Sequence, residues 1–447
     1  MPLTQALGQF VADLSPNRLP EEAVRIARLG FTDCIGTMIA GHDEPCAQIL
    51  KRVLAPADGA ATLYFSGERS PGPEAGWINA AAAHALDYDD VALRGHPSTV
   101  LVPAILAEAE VLGASGLDMI VAYVAGYETW AELVRRDAPM YHQKGWHPTG
   151  IFGAVGAAAA CAKLRKLDAA RTTMAISLGA SQAAGIMANF GTMTKPFHAG
   201  RAVHGGIMAA RLAEAGYTSN MDALEHPQGF LSAVSPEGHP DRTGAARLGE
   251  DWAIIQHGLS IKKYPACYGT HRAIDGMLDL LAEHPVRPDD VRKVTVHFGL
   301  FTSKVLRNHR PDTGLAAKFS MEFAMASCLI ARRVGLAELT DGFVRRADVQ
   351  AMMGRVALDT TEETDPDNPG GPPWEQVRIE IGSGQVLEGP QVRRARGHAE
   401  RPLSEGQLHE KFVDCLAAGG SAIAAETLFA RLQALRGVAA RELTSVH

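Results

Sequence analysis

No stretch of this sequence reaches about 18 consecutive apolar residues free of charges and helix breakers, the length that a membrane-spanning helix needs. Basic blocks are also missing: 43 Lys and Arg residues against 50 Asp and Glu residues give a net charge of −7, which argues against nucleic-acid or membrane-surface binding. The 6 cysteines form no C-x-x-C pair, so neither a zinc site nor a disulfide framework is indicated. The N-terminus lacks a basic region followed by an apolar signal core. We therefore expect a cytoplasmic globular protein that has neither a nucleic-acid partner nor a membrane partner.

Helical segments rich in Gly and Ala dominate the first part of the chain, which indicates closely packed helices and argues against an α/β nucleotide-binding fold. The pattern changes near Asp251. The segment VRKVTVHFGL alternates apolar and polar residues as a strand does, and EQVRIEIGSGQVLEGPQV predicts two strands around a Gly-Ser-Gly turn. The sequence therefore predicts a mainly α fold with an α+β part: a large all-helical domain over residues 1–254, completed by 400–447, and a smaller α+β domain over 255–399.

Acidic residues cluster in the segment HALDYDDVALRGHPST. The i, i+3, i+7 spacing of His84, Asp87 and Val91 places them on one helix face, and Asp90 follows Asp87 by three residues. Two carboxylates in one cleft raise the pKa of one of them, so Asp87 and Asp90 predict an acid/base pair. A solvated helix end explains the same residues equally well. A magnesium site for a diphosphate would need a second acidic motif on a facing helix, and none is evident.

Histidine, lysine and aromatic residues precede a Gly/Ala-rich helix in YHQKGWHPTG. This order predicts that His147 meets an anion at the helix N-terminus. Gly150, Gly153 and Gly156 form G-x-x-G-x-x-G with no strand before them, which indicates close helix packing rather than dinucleotide binding.

Two further clusters are cationic. In TMTKPFHAGR, Lys195, His198 and Arg201 supply three cationic groups within one and a half helical turns. In KKYPACYGTHR, a loop with lysines and aromatics leads into a helix. A thiol mechanism with Cys267 as nucleophile and His271 as base is the weaker interpretation, because the other clusters bring more cationic than nucleophilic character. Together the four clusters predict a cofactor-free site that binds carboxylates and transfers protons.

In this order, the clusters resemble the motifs of the MmgE/PrpD family. That family shows an aspartate-rich helix end followed by His-Pro-Ser, a His-Pro-Thr-Gly-like element, a Lys-Pro-x-x-x-Gly element and a Lys-x-Tyr-Pro-x-Cys loop followed by His. Here they read DYDDVALRGHPST, HPTG, TKPFHAGRA and KKYPACYGTH, and AKFSMEFAMA is similar to the family's Lys-Phe-Ser segment. The resemblance spans nearly the whole chain.

The resemblance implies a helical domain built from both chain ends and an α+β lid domain, as a homodimer with the site between the domains. It also implies chemistry on small di- or tricarboxylates that needs no metal and no organic cofactor. The family's known activities are 2-methylcitrate dehydration, cis-aconitate decarboxylation and iminodisuccinate epimerisation.

The candidate site residues follow from these motifs together with the cationic clusters. We expect His96, His147 and Tyr268 to carry protons and Asp90 to orient or tune a partner. The expected substrate-binding residues are Asp87, Lys195, His198, Arg201, Lys262 and His271.

One departure from the family pattern bears on the reaction. Many dehydratase and decarboxylase members have a hydroxyl residue directly after the aspartate pair, where this chain has Val91, and the loop to His96 is shorter. These differences favour an isomerase that epimerises iminodisuccinate by removing and returning a proton. The alternatives are a 2-methylcitrate dehydratase-type lyase, a cis-aconitate decarboxylase-like enzyme, and an inactive polycarboxylate-binding protein.

Overall fold

The computed structural model describes residues 1–245, 247–366 and 371–446. The chain divides into two compact units, Met1–Ser260 with Ser404–His447 (unit 1) and Ile261–Leu403 (unit 2). Helices dominate, and a small mixed sheet accompanies them in unit 2. The predicted fold class, mainly α with an α+β part, is confirmed.

In the described part of the N-terminal segment of unit 1, the regular elements are helices and a short antiparallel ribbon of two strands, β1 (Ala61–Thr62) and β2 (Arg69–Ser70). Within the described residues, no helix is both long and apolar enough to cross a membrane. The helices of this segment are α1 (Leu3–Asp13), α2 (Glu21–Ala40), α3 (Pro45–Leu54), α4 (Gly72–Ala85), α5 (Ser98–Leu112), α6 (Gly116–Val134), α7 (Pro148–Leu164), α8 (Ala169–Ser181), α9 (Thr194–Glu214), α10 (Phe230–Val234) and α11 (Ala253–His257).

Glycines bring several of these helices into backbone contact. A Cβ on Gly206 of α9 would lie 2.4 Å from the Cβ of Ala157 on α7, and one on Gly126 of α6 would lie 2.8 Å from the carbonyl oxygen of Gly156. Any side chain at these positions would push the helices apart, since interiors are packed without spare volume. The predicted close packing of the Gly/Ala faces is confirmed, and it brings α6 and α9 into contact with α7.

Unit 2 contains a sheet of the strands β3 (Val291–Gly299), β4 (Val356–Thr361), β5 (Gln376–Ile381) and β6 (Val386–Glu388), in the spatial order β4-β3-β5-β6. The β3–β4 pair is parallel, whereas β3–β5 and β5–β6 are antiparallel. The strand predicted for VRKVTVHFGL and the two strands around the Gly-Ser-Gly turn are confirmed as β3, β5 and β6. The elements are α12 (His271–Glu283), β3 (Val291–Gly299), α13 (Leu300–Val305), α14 (Gly314–Ala317), α15 (Met321–Ala331), α16 (Asp341–Val344), α17 (Ala347–Met353), β4 (Val356–Thr361), β5 (Gln376–Ile381) and β6 (Val386–Glu388).

The C-terminal segment returns to unit 1 as α18 (Glu405–Ala418), α19 (Ala425–Gln433) and α20 (Ala440–Leu443). A buried lysine on α18 connects this segment to the N-terminal one. Lys411 Nζ lies 2.5 Å from Asp33 Oδ1 on α2 and donates to the backbone oxygen of Tyr88 at 2.8 Å, over the Tyr88 ring. Helix α18 near the end of the chain therefore holds the segment that follows α4 in place.

Glu128 on α6 provides a test of the packing in unit 1. Its carboxylate accepts the backbone N–H groups of Ala253 and Ile254 at the start of α11, at 3.0 and 2.9 Å. Burial raises the pKa of Glu128 to about 7 from 4.5. The contribution of protonated Glu128 to stability is therefore fully present below pH 4.5 and is lost as the pH rises through 7.

We expect Glu128→Gln to remove this pH dependence. Between pH 4.5 and 8, the free energy of unfolding of the wild type should fall relative to the variant by about 3 kcal/mol, as urea denaturation would measure. The exposed Glu250→Gln serves as the control. A difference between wild type and Glu128→Gln that stays constant with pH would contradict the expectation.

Candidate active site

The acidic segment is a loop, and the predicted helical spacing of its residues is wrong. Helix α4 ends at Ala85, and Asp87 adopts a left-handed backbone conformation with φ of 51°. Such a conformation is uncommon for a non-glycine residue and stops the helix. Two backbone hydrogen bonds between Val91 and Ser260 hold the loop. Because the loop is not helical, Asp87, Asp89 and Asp90 contact different partners.

Asp87 pairs with Lys195, which lies in the first turn of α9. The Lys195 ammonium is 2.6 Å from Asp87 Oδ1, and both side chains are buried, with 9% and 7% of their surface exposed. The same ammonium lies over the ring of Phe190, 5.2 Å from its centroid. The structure thus brings together two of the predicted substrate-binding residues from segments far apart in the sequence.

Four buried imidazoles lie around this pair, and we call His84, His96, His147 and His198 the histidine cluster. The ring centroid of His84 is 4.4 Å from that of His96 and 6.0 Å from that of His147. His147 and His198 contact each other through their Nδ1 atoms at 3.0 Å. One nitrogen must donate and the other accept, so the two rings share one Nδ1 proton.

His147 owes its position to the start of α7. It is the N-cap residue, Pro148 occupies the first helical position, and the His147 backbone N–H donates to Gly185 O. Because the side chain makes no capping hydrogen bond, its imidazole is available to the cluster.

Three histidines of the cluster, His84, His147 and His198, are held in the neutral form. Burial, with the charge of Lys195 as the next cause, lowers the pKa of His147 well below 6.5. Burial also lowers the pKa of His84 and that of His198 to about 4. A neutral imidazole has a lone pair and can accept a proton, which a proton carrier at neutral pH requires.

Asp89 contacts two histidines of the cluster, His84 and His96. Its carboxylate accepts hydrogen bonds from His84 Nδ1 at 2.9 Å and lies 3.0 Å from His96 Nδ1. Burial acts to raise the pKa of Asp89, but the attraction and hydrogen bonds of the two imidazoles outweigh burial and hold that pKa well below its usual range. Asp89 is therefore ionised.

Asp90 is fully buried, and its carboxylate accepts hydrogen bonds from Ser98 at the start of α5. Ser98 Oγ donates to Asp90 Oδ2 at 2.6 Å and lies 2.7 Å from the hydroxyl of Tyr123. Burial, followed by the charge of Asp33, raises the pKa of Asp90 well above its usual range, which favours the protonated form. The Asp90 backbone oxygen accepts from His96 Nδ1 at 2.8 Å, so Asp90 contacts the cluster through its main chain.

His84, Asp87, Asp89 and His96 offer donor atoms that lie within 4.8 Å of one another, a spacing that a metal site could use. Here the Nδ1 atoms of both histidines bond to Asp89, and an ammonium lies 2.6 Å from Asp87. A metal ion would have to displace these bonds and bind beside the positive charge of Lys195. The donor set therefore fits proton transfer better than a resident metal, and a metal-independent reaction stays a prediction.

Arg201 lies apart from the cluster on α9. It follows Lys195 by six residues, about 240° around the helix, and its guanidinium lies over the Trp77 ring at 4.9 Å and bonds to His204 at 3.0 Å. The structure therefore groups Lys195 and His198 but not Arg201.

The remaining candidates belong to unit 2. Lys262 and His271 are buried there, and His271 Nε2 is 3.2 Å from the backbone oxygen of Ala266. The His271 ring lies 4.9 Å from that of Tyr268 and 5.1 Å from that of Tyr264. The roles of Lys262, Tyr268 and His271 stay predictions.

Asp89, His84 and Phe190 are not among the residues that the sequence predicts for the site. The assumption of helical spacing predicts Asp87 and Asp90 as site residues but not Asp89, which lies between them in the sequence. A signal was available, since His84, Asp89 and His96 are imidazole and carboxylate groups within 13 residues of chain. Phe190 carried no comparable signal, because its contacts with Lys195 and with the His147 ring are tertiary.

Comparison with known proteins covers both units. The MmgE/PrpD N-terminal domain model matches residues 5–243, and the MmgE/PrpD C-terminal domain model matches residues 264–433. The human cis-aconitate decarboxylase is 26% identical over 434 residues, which covers 92% of this chain and 87% of that protein. A cis-aconitate decarboxylase-like protein of Aspergillus oryzae is 26% identical (92% and 89% covered), and the cis-aconitate decarboxylase of Aspergillus terreus is 23% identical (91% and 88% covered). Two domain models that together match most of the chain, in the order of the predicted motifs, show that this protein belongs to the MmgE/PrpD family.

Proposed function

We propose that this chain is an enzyme that forms a carbanion next to a carboxylate of a small di- or tricarboxylate and transfers a proton to or from that carbon. The observation that carries the proposal is the Lys195 ammonium buried among neutral imidazoles, 2.6 Å from Asp87. A carbanion of this kind is stable only if its charge moves onto the carboxylate oxygens and meets a fixed cation there. The family membership supports an enzyme.

Each group then has a role in the proposed reaction. Lys195 binds the carboxylate on which negative charge develops, and its burial strengthens that attraction because little water screens it. His96 and His147 are the proton carriers. In a proton abstraction, the C–H electron pair passes into the carboxylate as the imidazole takes the proton. In a decarboxylation, the electron pair of the broken C–C bond stays on the carbon skeleton as CO₂ leaves, and it then takes a proton from an imidazole that solvent has protonated.

Among decarboxylation, dehydration and epimerisation, the names of the relatives favour decarboxylation of cis-aconitate or a similar unsaturated tricarboxylate by a lyase. Their alignments cover nearly the whole chain at about a quarter identity. Epimerisation of iminodisuccinate is the second candidate, favoured by Val91 at the position after the aspartate pair. The homodimer and the cytoplasmic location stay predictions.

Proton NMR in D₂O separates these reactions. The enzyme is incubated in turn with cis-aconitate, 2-methylcitrate and iminodisuccinate. We expect one of the three acids to react at the carbon next to a carboxylate. Release of CO₂ with a new deuterated alkene identifies the decarboxylase, an alkene without CO₂ loss identifies the dehydratase, and exchange without net loss identifies the epimerase.

The His147→Asn variant, purified in parallel, controls for contaminating activity. If all three acids bind, as calorimetry would show, but none exchanges or reacts, the chain is a binding protein and the proposal fails.

A further inference from the structure

Asp89 holds a position that the proposed roles leave unexplained. It is a fully buried carboxylate, and its two oxygens face two histidines of the cluster rather than a cation. An ionised carboxylate withdrawn from water is costly unless it is bonded to donors. Here the donors are His84 at the end of α4 and His96 at the start of the segment leading into α5.

The hydrogen bonds of His96 determine which of its nitrogens can accept a proton. Its Nδ1 is 2.8 Å from the backbone oxygen of Asp90 and 3.0 Å from Asp89 Oδ2. A backbone oxygen only accepts, so Nδ1 must carry the hydrogen in the neutral ring. Nε2 then carries the lone pair. The Asp90 carbonyl fixes this tautomer, and Asp89 adds a negative charge on the same side of the ring.

We infer that Asp89 is a positioning residue that acts through His96: it holds the ring in place and stabilises its protonated form once Nε2 has taken a proton from the substrate. The inference rests on the proposed function, in which His96 carries a proton. The proton that His96 takes from the substrate makes its ring positive, opposite the Asp89 carboxylate. His96 returns this proton when the carbanion or the product is protonated, so no other proton donor is needed. His84 donates to the other oxygen and keeps the carboxylate from turning away.

The titratable groups that face this part of the site come from several elements. They are Asp33 and Cys34 on α2, His84 on α4, Asp87 and Asp90 on the loop, His147 at the start of α7 and Lys195 at the start of α9. All of them remain when Asp89 is replaced by Asn, which keeps the side-chain shape and removes the charge. A change in the titration of His96 can then be assigned to that charge.

The first test needs no substrate. In protein labelled with ¹⁵N-histidine, the His96 signals, identified by their loss in His96→Gln, should show hydrogen on Nδ1 in the wild type. Asp89→Asn should lower the midpoint of the His96 titration by about one pH unit or more, since an opposite charge at this distance shifts a pKa by that amount. Hydrogen on Nε2 in the wild type, or an unmoved midpoint in the variant, would overturn the inference.

The second test uses the substrate identified in D₂O. Asp89→Asn should lower kcat about 10²-fold with KM changed less than about threefold, because the stabilised charge exists only after proton transfer. In the His96→Gln background the same replacement should change kcat less than about twofold. A purely structural Asp89 would lower activity equally in both backgrounds.

The two tests separate the inference from the proposed function. If no polycarboxylate is turned over but the ¹⁵N titration behaves as expected, the proposed reaction fails while Asp89 still controls His96. If turnover is found and the titration midpoint does not move, the inference fails alone. Should Asp89→Asn not fold, the tautomer of His96 in the wild type still decides the geometry on which the inference depends.

Discussion

Replacing His147 by Asn is expected to lower kcat by about 10²- to 10⁴-fold, the range typical of a lost acid or base, with KM within a few-fold of the wild type. His147 is neutral because burial lowers its pKa well below 6.5, and its ring lies between those of His84 and His198. Proton transfer is a property of the transition state, so its loss acts on kcat rather than on binding.

Asn suits this test because it preserves the start of α7. It is among the preferred N-cap residues, whereas Ala would be unfavourable there, and the backbone bond from His147 to Gly185 does not depend on the side chain. The matched control is His239→Asn, an exposed histidine of the same unit, which should leave both constants unchanged. A kcat within about tenfold of the wild type would remove His147 from the proton-carrying role.

The second large effect concerns the ion pair. Lys195→Met should lower the free energy of unfolding by about 3–5 kcal/mol, because it leaves the buried Asp87 carboxylate without this ammonium. The double variant Asp87→Asn, Lys195→Met should recover most of that loss, since no uncompensated charge remains. Asn also tolerates the left-handed backbone at position 87. Urea denaturation of the single and double variants measures the coupling.

Activity should behave differently from stability in the same series. The double variant has no cation at position 195, so the charge that develops on the substrate carboxylate stays unstabilised and turnover remains low. Recovery of activity along with stability would show that Lys195 serves the fold and not the reaction. A loss of less than about 1 kcal/mol in Lys195→Met would mean that solvent reaches the pair.

Much of the fold was predictable because local pattern and tertiary structure agree. Strand β3 alternates apolar and polar residues, and Gly206 and Gly126 sit where helices need close approach. The loop after α4 was not predictable in this way. Its helical pattern continues past Ala85, yet Asp87 turns toward Lys195, 108 residues away along the chain, and the carbonyl of Tyr88 is bound by Lys411, 323 residues away. Contacts between residues so far apart in the sequence override the helical spacing. For that reason the sequence pattern does not predict Asp89 as a site residue.

The lysine on α18 also sets an order of events during synthesis. Asp33 and Tyr88 leave the ribosome early, but the ammonium that binds both belongs to residue 411. Burial raises the pKa of Asp33, so this carboxyl is poorly accommodated until its partner arrives. A nascent chain can pack α2, α4 and α7 well before then. The bond from Lys411 to the Tyr88 backbone oxygen forms only after unit 2 has been made, so the loop with Asp87 and Asp89 receives this part of its support near the end of translation.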